Sequence, residues 1–224
     1  QLANRQAFFF LVRNPELFSM IGAVDGTPLD RHSGRLAPVG PEKREADFQF
    51  GQKALSEVRR FDREKLDPQE QVTYDILLDF YGRQAKFHEF EWLSSEGLYP
   101  ISPMFGTQVQ LANFMQTTHV VKNEKLARNY VSRLEAMGAK LDGLTAEMQR
   151  QSAAGIVLPP SLLEKSLLVI EDTIAPEPEE SPFVTTFVER MAKAKGLDEA
   201  RQAALRAEAI EAVKTSVYPA YERM

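Results

Sequence analysis

The fold is decided by residues 123–153, NEKLARNYVSRLEAMGAKLDGLTAEMQRQSA, which carry the clearest periodicity in the chain. Apolar side chains recur there at intervals of four, four, three, four, three and four residues, namely at Leu126, Tyr130, Leu134, Met137, Leu141, Leu144 and Met148. This spacing places them on one face of an α-helix and is typical of a helical bundle. At the helical rise, such a helix would be about 45 Å long. The stretch therefore predicts one long bundle helix.

Glycine and proline mark the boundaries of further helices on both sides of this stretch. Between these marks the apolar spacing is helical nearly everywhere, and no β-pattern persists for more than a few residues. We expect loops at residues 22–41, which are rich in glycine and proline, and at residues 175–182, which are acidic and proline-rich. The prediction is an all-α fold, an antiparallel array of long helices with Pro/Gly-rich links, forming a single helical region over residues 1–224.

Another helix has the best-marked start in the chain. Asp67 can act as its N-cap, Pro68 suits its first position, and Glu70 can reach back to the cap. We expect this helix to continue to about Trp92 and to be central, because its apolar arc is wide. The arc consists of a stripe of four residues, Val72, Ile76, Phe80 and Phe87. Leu77 and Tyr81 lie beside this stripe.

The composition excludes several classes of function. The chain has 27 basic and 32 acidic residues, a formal net charge of −5, which argues against a nucleic-acid partner because such proteins carry a basic stripe. Cysteine is absent, so disulfides, thiolate nucleophiles and zinc–sulfur sites are excluded. No apolar run approaches the roughly 20 residues that a membrane span needs. Serine-hydrolase elbows and phosphate-binding loops are also missing.

The three histidines give little sign of a metal site. His88 opens the segment His-Glu-Phe-Glu-Trp, but a zinc-peptidase helix needs a second histidine four residues later, and that position holds Trp92. His119 has no glutamate beside it, and His32 sits in the glycine-rich loop without a ligand-spaced partner. We interpret His88 as a packed structural histidine. The alternative, a site assembled from His88 and His119 by folding, stays open.

The link around residues 97–106, GLYPISPMFG, is irregular and carries aromatic side chains. Such segments between long helices often line clefts. They also serve simply as turns whose path is fixed by proline and glycine, and both interpretations stand. Tyr99, Phe105 and His88 are the candidates for lining a cleft. The sequence assigns no catalytic, cofactor-binding or metal-binding residue.

Five segments, in order, resemble the N-terminal part of the bacterial domain-of-unknown-function family 885. They begin with LDPQEQVTYDIL, which is similar to the family's helix ending in Tyr-Asp-Ile-Leu, and include a Tyr-x-x-Arg-Leu run followed by Ala-Ala-Gly-Ile and prolines. The segments are residues 66–77, 99–106, 130–134, 153–160 and 217–221. Their order and spacing extend over most of the chain.

This resemblance implies a function that the residues alone do not. Family members look like α-helical zinc metallopeptidases with a histidine–glutamate zinc helix in their C-terminal half. The chain would then be the N-terminal scaffold and cleft wall of a zinc-dependent peptidase, a hydrolase acting on a peptide-like substrate. Zinc is expected in the missing C-terminal part and no cofactor in this chain, which alone would be inactive. Relatives carrying lipoprotein signals imply a periplasmic or cell-envelope location. The alternative is a non-catalytic helical binding or interaction module of the envelope.

Overall fold

The computed structural model describes residues 1–90, 92 and 98–224. These residues form helices α1 to α10, which are Leu2–Arg13, Pro15–Ile21, Pro41–Val58, Pro68–Phe87, Thr107–Asn113, Glu124–Ala153, Pro160–Ile174, Pro182–Met191, Glu199–Ala212 and Tyr218–Glu222. A 3₁₀ turn spans Arg63–Lys65, and π-helical turns span Phe114–Thr118 and Val213–Val217. The described residues contain no sheet, so the predicted all-α class is confirmed.

The two segments predicted as loops lie between helices. The glycine-rich segment lies between α2 and α3, and the acidic segment lies between α7 and α8. Gly22 ends α2 with a φ of 67°, a left-handed conformation that glycine adopts without strain. Residue 97, the first of the predicted Pro/Gly-rich link, lies outside the described residues. α4 ends at Phe87, several residues before the expected end near Trp92.

α6 is the long helix that the periodicity predicted, and it forms the centre of the main core. Asn123 caps it, its Oδ1 accepting the N–H of Leu126 at 3.0 Å. The repeat residues from Leu126 to Leu144 are almost completely buried, whereas Met148 is only partly buried. Helix α6 packs against α9, α10 and the π-helical turn Val213–Val217. The same apolar cluster includes α8.

Gly138 lets α6 approach the π-helical turn closely. The hydroxyl of Ser216 donates to the carbonyl of Glu135 at 2.7 Å and accepts the N–H of Gly138 at 3.2 Å. A Cβ atom at position 138 would lie 2.5 Å from Ser216 Oγ and 3.1 Å from the Ser216 carbonyl oxygen. Close packing between α6 and this turn therefore requires glycine at position 138.

The expectation that α4 is central is wrong. Its start is as predicted, because Asp67 and Glu70 form a complete capping box. However, α4 packs mainly on α3, with Tyr81 as its one buried residue in a small second core containing Ala54 and Leu55. The rest of its apolar stripe faces outward, with 39–61% of each residue exposed at Val72, Ile76, Phe80 and Phe87. Among the described residues, none of the helices is both long and apolar enough to span a membrane.

Candidate functional site

A surface cleft of about 430 Å³ lies between α2, the loop that follows it, and α5, with Lys140 of α6 on its wall. Phe105, immediately before α5, and Met20 of α2 line this cleft, and both are largely exposed, at 75% and 64%. The remaining apolar lining comes from Leu17, Pro38, Leu111 and Phe114. Exposed large apolar residues around a concavity are typical of a surface that contacts a ligand or another polypeptide.

The charged groups of the cleft are already paired. The Nζ of Lys140 donates to Glu16 Oε1 at 2.7 Å and to the carbonyl of Ala37 at 2.9 Å, and Glu16 also accepts the Ala37 N–H at 3.1 Å. Lys43 forms an ion pair with Asp47. The other polar groups on the wall are neutral amides and hydroxyls from Asn14, Thr107, Gln110, Asn113 and Thr118. The cleft therefore presents apolar and amide surface, and its charged side chains are paired with one another or with neighbours.

The structure does not bring the three cleft-lining candidates together. Phe105 lines the cleft, whereas Tyr99 is half-buried in the link and does not line it. His88 follows α4, where its ring stacks on Phe48 with 3.7 Å between centroids and its Nε2 lies 3.5 Å from Glu45. These contacts agree with the interpretation of His88 as a packed histidine.

His119 is enclosed in a separate polar network, and among the described residues it shares no partner with His88. Arg133 Nη1 donates to His119 Nδ1 at 2.8 Å, and His119 Nε2 lies 3.1 Å from the carbonyl oxygen of Leu126. Because arginine can only donate, Nδ1 is the acceptor and Nε2 carries the proton. Burial, reinforced by the positive charge of Arg133, lowers the pKa of His119 from 6.5 to about 3. His119 is therefore neutral at ordinary pH, and both of its nitrogens are occupied.

Arg133 fixes the loop between α2 and α3 to α6. Its side chain is fully buried, and its guanidinium lies 4.8 Å from the centre of the Phe114 ring. Besides His119, its N–H groups donate to three carbonyl oxygens and one hydroxyl, those of Pro15, His32, Arg35 and Ser19. Burial lowers the pKa of Arg133 to about 10, with nearby carboxylates acting in the opposite direction, so the group stays charged at neutral pH.

Three side chains of the same loop form a buried cluster that the spacing of the sequence did not indicate. The Nε2 of His32 lies 2.8 Å from Asp25 Oδ1, and its Nδ1 lies 3.2 Å from Asp30 Oδ1. Burial alone would raise the pKa of Asp30, but the hydroxyl of Ser33 and the N–H groups of Gly26 and Ser33 outweigh it, and this pKa is lowered. Asp25, Asp30 and His32 are one set of donor atoms that could hold a metal ion.

Comparison with known proteins identifies the family. Residues 15–224 match the family described as bacterial proteins of unknown function, DUF885. The chain belongs to the DUF885 family. No curated protein matches it significantly.

A solved structure shares the fold of this DUF885 chain. It is described as "the putative lipoprotein from Colwellia psychrerythraea", and it superposes with a TM-score of 0.79 at 16% sequence identity. The match covers 100% of this chain and 40% of that protein, so the DUF885 chain spans less than half the length of its structural relative. At this identity the likeness shows the fold.

The functional groups that sequence reasoning missed in the DUF885 chain depend on the path of the loop between α2 and α3. Asp25, Asp30 and His32 are separated by intervals of five and two residues, which match no regular element. The available signal was an Asp-x₄-Asp-x-His pattern within a glycine-rich segment. Arg133 gave no comparable signal, because charged residues are spread along α6 and the sequence does not show that this one is buried.

Proposed function

We propose that this DUF885 region is the helical scaffold and one wall of the substrate cleft in a larger zinc-dependent peptidase. The observation that carries the proposal is the open cleft beside Phe105, whose apolar and amide lining suits a peptide-like chain. The resemblance to metallopeptidase-like proteins supplies the reaction class. The structural relative, described as a lipoprotein, supports a location in the cell envelope.

Exposed apolar surface also supports a role as part of a larger assembly. Four leucines of α7 are 37–58% exposed, namely Leu162, Leu163, Leu167 and Leu168. Together with the exposed stripe of α4, they form more apolar surface than scattered single residues would. Because the relative is much longer than this region, we propose that additional polypeptide covers these faces.

In this proposal, the zinc is held outside the chain. A catalytic zinc needs a coordination position open to substrate. The Asp25–Asp30–His32 group does not meet that requirement, because its side chains are at most 7% exposed and none of them lines the cleft. The residues of this region would act by binding and orienting the substrate against the Phe105 wall. When bound, zinc would supply the activated water for hydrolysis.

The test uses the protein from the complete open reading frame and a panel of fluorogenic oligopeptides. We expect zinc-dependent cleavage, and we expect Phe105→Ala to raise KM while changing kcat little, because the side chain contacts the substrate before and during the reaction. Leu29→Ala is the matched control, because Leu29 is also 75% exposed but does not line the cleft.

Two outcomes would contradict the proposal. A zinc-loaded full-length protein that cleaves no peptide would eliminate the peptidase function. An unchanged KM in Phe105→Ala would show that Phe105 does not contact the substrate, and would refute the assignment of this cleft to substrate binding. If peptides bind without being cleaved, and Phe105→Ala abolishes that binding, the protein is instead a non-catalytic binding module.

A further inference from the structure

We propose that Asp25, Asp30 and His32 form a binding site for a divalent transition-metal ion of the Zn²⁺ or Mn²⁺ type. The site lies in the loop between α2 and α3 and shares no residue with the cleft. The inference is therefore independent of the proposed peptidase function.

The geometry brings three donors close enough to share one ion. One ligand atom from each residue lies within 4.8 Å of the other two. Zn²⁺ bonds to nitrogen and oxygen at about 2.0–2.2 Å, so neighbouring donors around one ion are roughly 3–3.5 Å apart. An ion would take one ring nitrogen of His32 and one oxygen from each carboxylate. It would replace the direct contact between His32 Nε2 and Asp25 Oδ1.

Unsatisfied atoms are the second observation that points to a ligand. The side chains of Asp25 and His32 are 7% and 5% exposed, and Asp25 Oδ2 has no hydrogen-bond partner. His32 Nδ1 lies 3.2 Å from Asp30 Oδ1 without forming a hydrogen bond. A buried carboxylate oxygen without a donor is costly, and a coordinated cation would remove that cost.

The charge balance points in the same direction. In the part of the chain that the structure describes, His32 is the ion-pair partner of both carboxylates. The two nearby cations bind the loop through main-chain oxygens instead. Lys125 donates to the carbonyls of Thr27 and Asp30, and Arg133 donates to the carbonyl of His32. The buried charge of Arg133 offsets part of the charge of Asp25 and Asp30, and a divalent ion held between the two carboxylates would offset the rest.

The donor types select the class of metal. Imidazole nitrogen combined with carboxylate oxygen suits Zn²⁺ and Mn²⁺, whereas Ca²⁺ and Mg²⁺ prefer ligand sets made of oxygen alone.

Neighbouring groups hold these donors in place. Ser33 Oγ donates to Asp30 Oδ2 at 2.6 Å, and the ring of His32 stacks on Phe18 at 4.1 Å. Such supporting contacts orient metal ligands. Because the site is closed, the ion would be structural.

Binding should stabilise the fold, because the cluster belongs to a loop tied to α6. Asn129 Nδ2 donates to Ser33 Oγ at 2.5 Å, next to the contact between Arg133 and the His32 carbonyl. A ligand that binds the folded state alone raises the melting temperature, by about 5–10 °C at a hundredfold excess over Kd for a protein of this size.

The experiment titrates chelator-treated protein with Zn²⁺ and, separately, with Mn²⁺, followed by calorimetry and by thermal melting. We expect one equivalent that depends on Asp25 and His32, in addition to any zinc held outside this chain, and we expect the melting temperature to rise. Asp25→Asn keeps the shape of the side chain but removes its charge, and His32→Gln removes the nitrogen ligand. Each should weaken binding by about a hundredfold or more. His88→Gln and Asp47→Asn are the matched controls and should bind like the unaltered protein.

Several results would overturn the proposal. They are the absence of stoichiometric binding, wild-type affinity in Asp25→Asn, or binding of Ca²⁺ in preference to Zn²⁺ and Mn²⁺. Circular dichroism checks that the variants fold, and the titration of the unaltered chain decides the question if they do not. Nitrogen NMR of the metal-free protein gives a further decisive readout. If both His32 nitrogens carry protons and neither responds to Zn²⁺, the cluster is a salt-bridged imidazolium and the metal site is refuted.

Discussion

Lowering the pH should destabilise the protein through His119. The pKa of this histidine is 6.5 in its ordinary state and about 3 in the folded protein, because burial and Arg133 disfavour its charged form. Between these values the unfolded chain binds a proton that the folded chain does not. Stability from this group is therefore fully present above pH 6.5 and is lost as the pH falls toward 3. Linkage gives a loss of about 2 kcal/mol in the free energy of unfolding between pH 7.5 and pH 5.

The value at pH 5 depends little on the exact folded pKa, because the folded histidine stays neutral there for any pKa below about 4. The assay is urea denaturation at pH 7.5 and pH 5, monitored by circular dichroism, for the unaltered chain and for His119→Gln. Glutamine cannot titrate, so the variant should be less stable at pH 7.5 but should lose about 2 kcal/mol less on acidification. His88→Gln is the control, because it leaves His119 and Arg133 in place. An equal loss in His119→Gln and the unaltered chain would refute the reasoning.

Four further substitutions test other parts of the fold. Gly138→Ala should lower the free energy of unfolding by about 1–2 kcal/mol, because its Cβ would lie 2.5 Å from Ser216 Oγ. Gly82→Ala, where a Cβ would meet nothing within 4 Å, should instead raise it by up to about 1 kcal/mol, and equal effects of the two would contradict the packing argument. Asp67→Ala should cost about 1 kcal/mol through loss of the N-cap of α4, again measured by urea denaturation. Arg133→Lys should lower the free energy of unfolding by about 3 kcal/mol, because lysine cannot reach all of the acceptors that the guanidinium serves. It should also speed proteolysis within the loop after α2. A resistant loop in that variant would show that other contacts hold it.

Helix α6 could be predicted from the sequence, whereas the position of α4 could not. The repeat in α6 is local, and nearly all of its apolar residues are buried where the spacing places them. The apolar stripe of α4 is equally regular, but a stripe shows only which face is apolar. It does not show whether another element covers that face, and here α3 covers only the part around Tyr81.

The candidate site was predictable only in part, for a similar reason. Phe105 was identified because aromatic residues in irregular links often line clefts, and it lines one. The Asp25–Asp30–His32 cluster was missed because irregular backbone carries no periodic signal. The loop curls around Asp30, whose carboxylate accepts the N–H groups of Gly26 and Ser33, and that turn brings the three side chains together. Contacts of this kind follow from the path of the main chain.

The way in which Arg133 holds its loop has a consequence for how such sequences can diverge. Three of its acceptors are peptide oxygens, at positions 15, 32 and 35, which every amino acid supplies. Substitutions at those positions would leave these hydrogen bonds intact. An insertion or deletion in the loop, in contrast, would displace the peptide oxygens from the guanidinium of Arg133. Among homologues, we therefore expect the length of this loop to vary less than its residue identities.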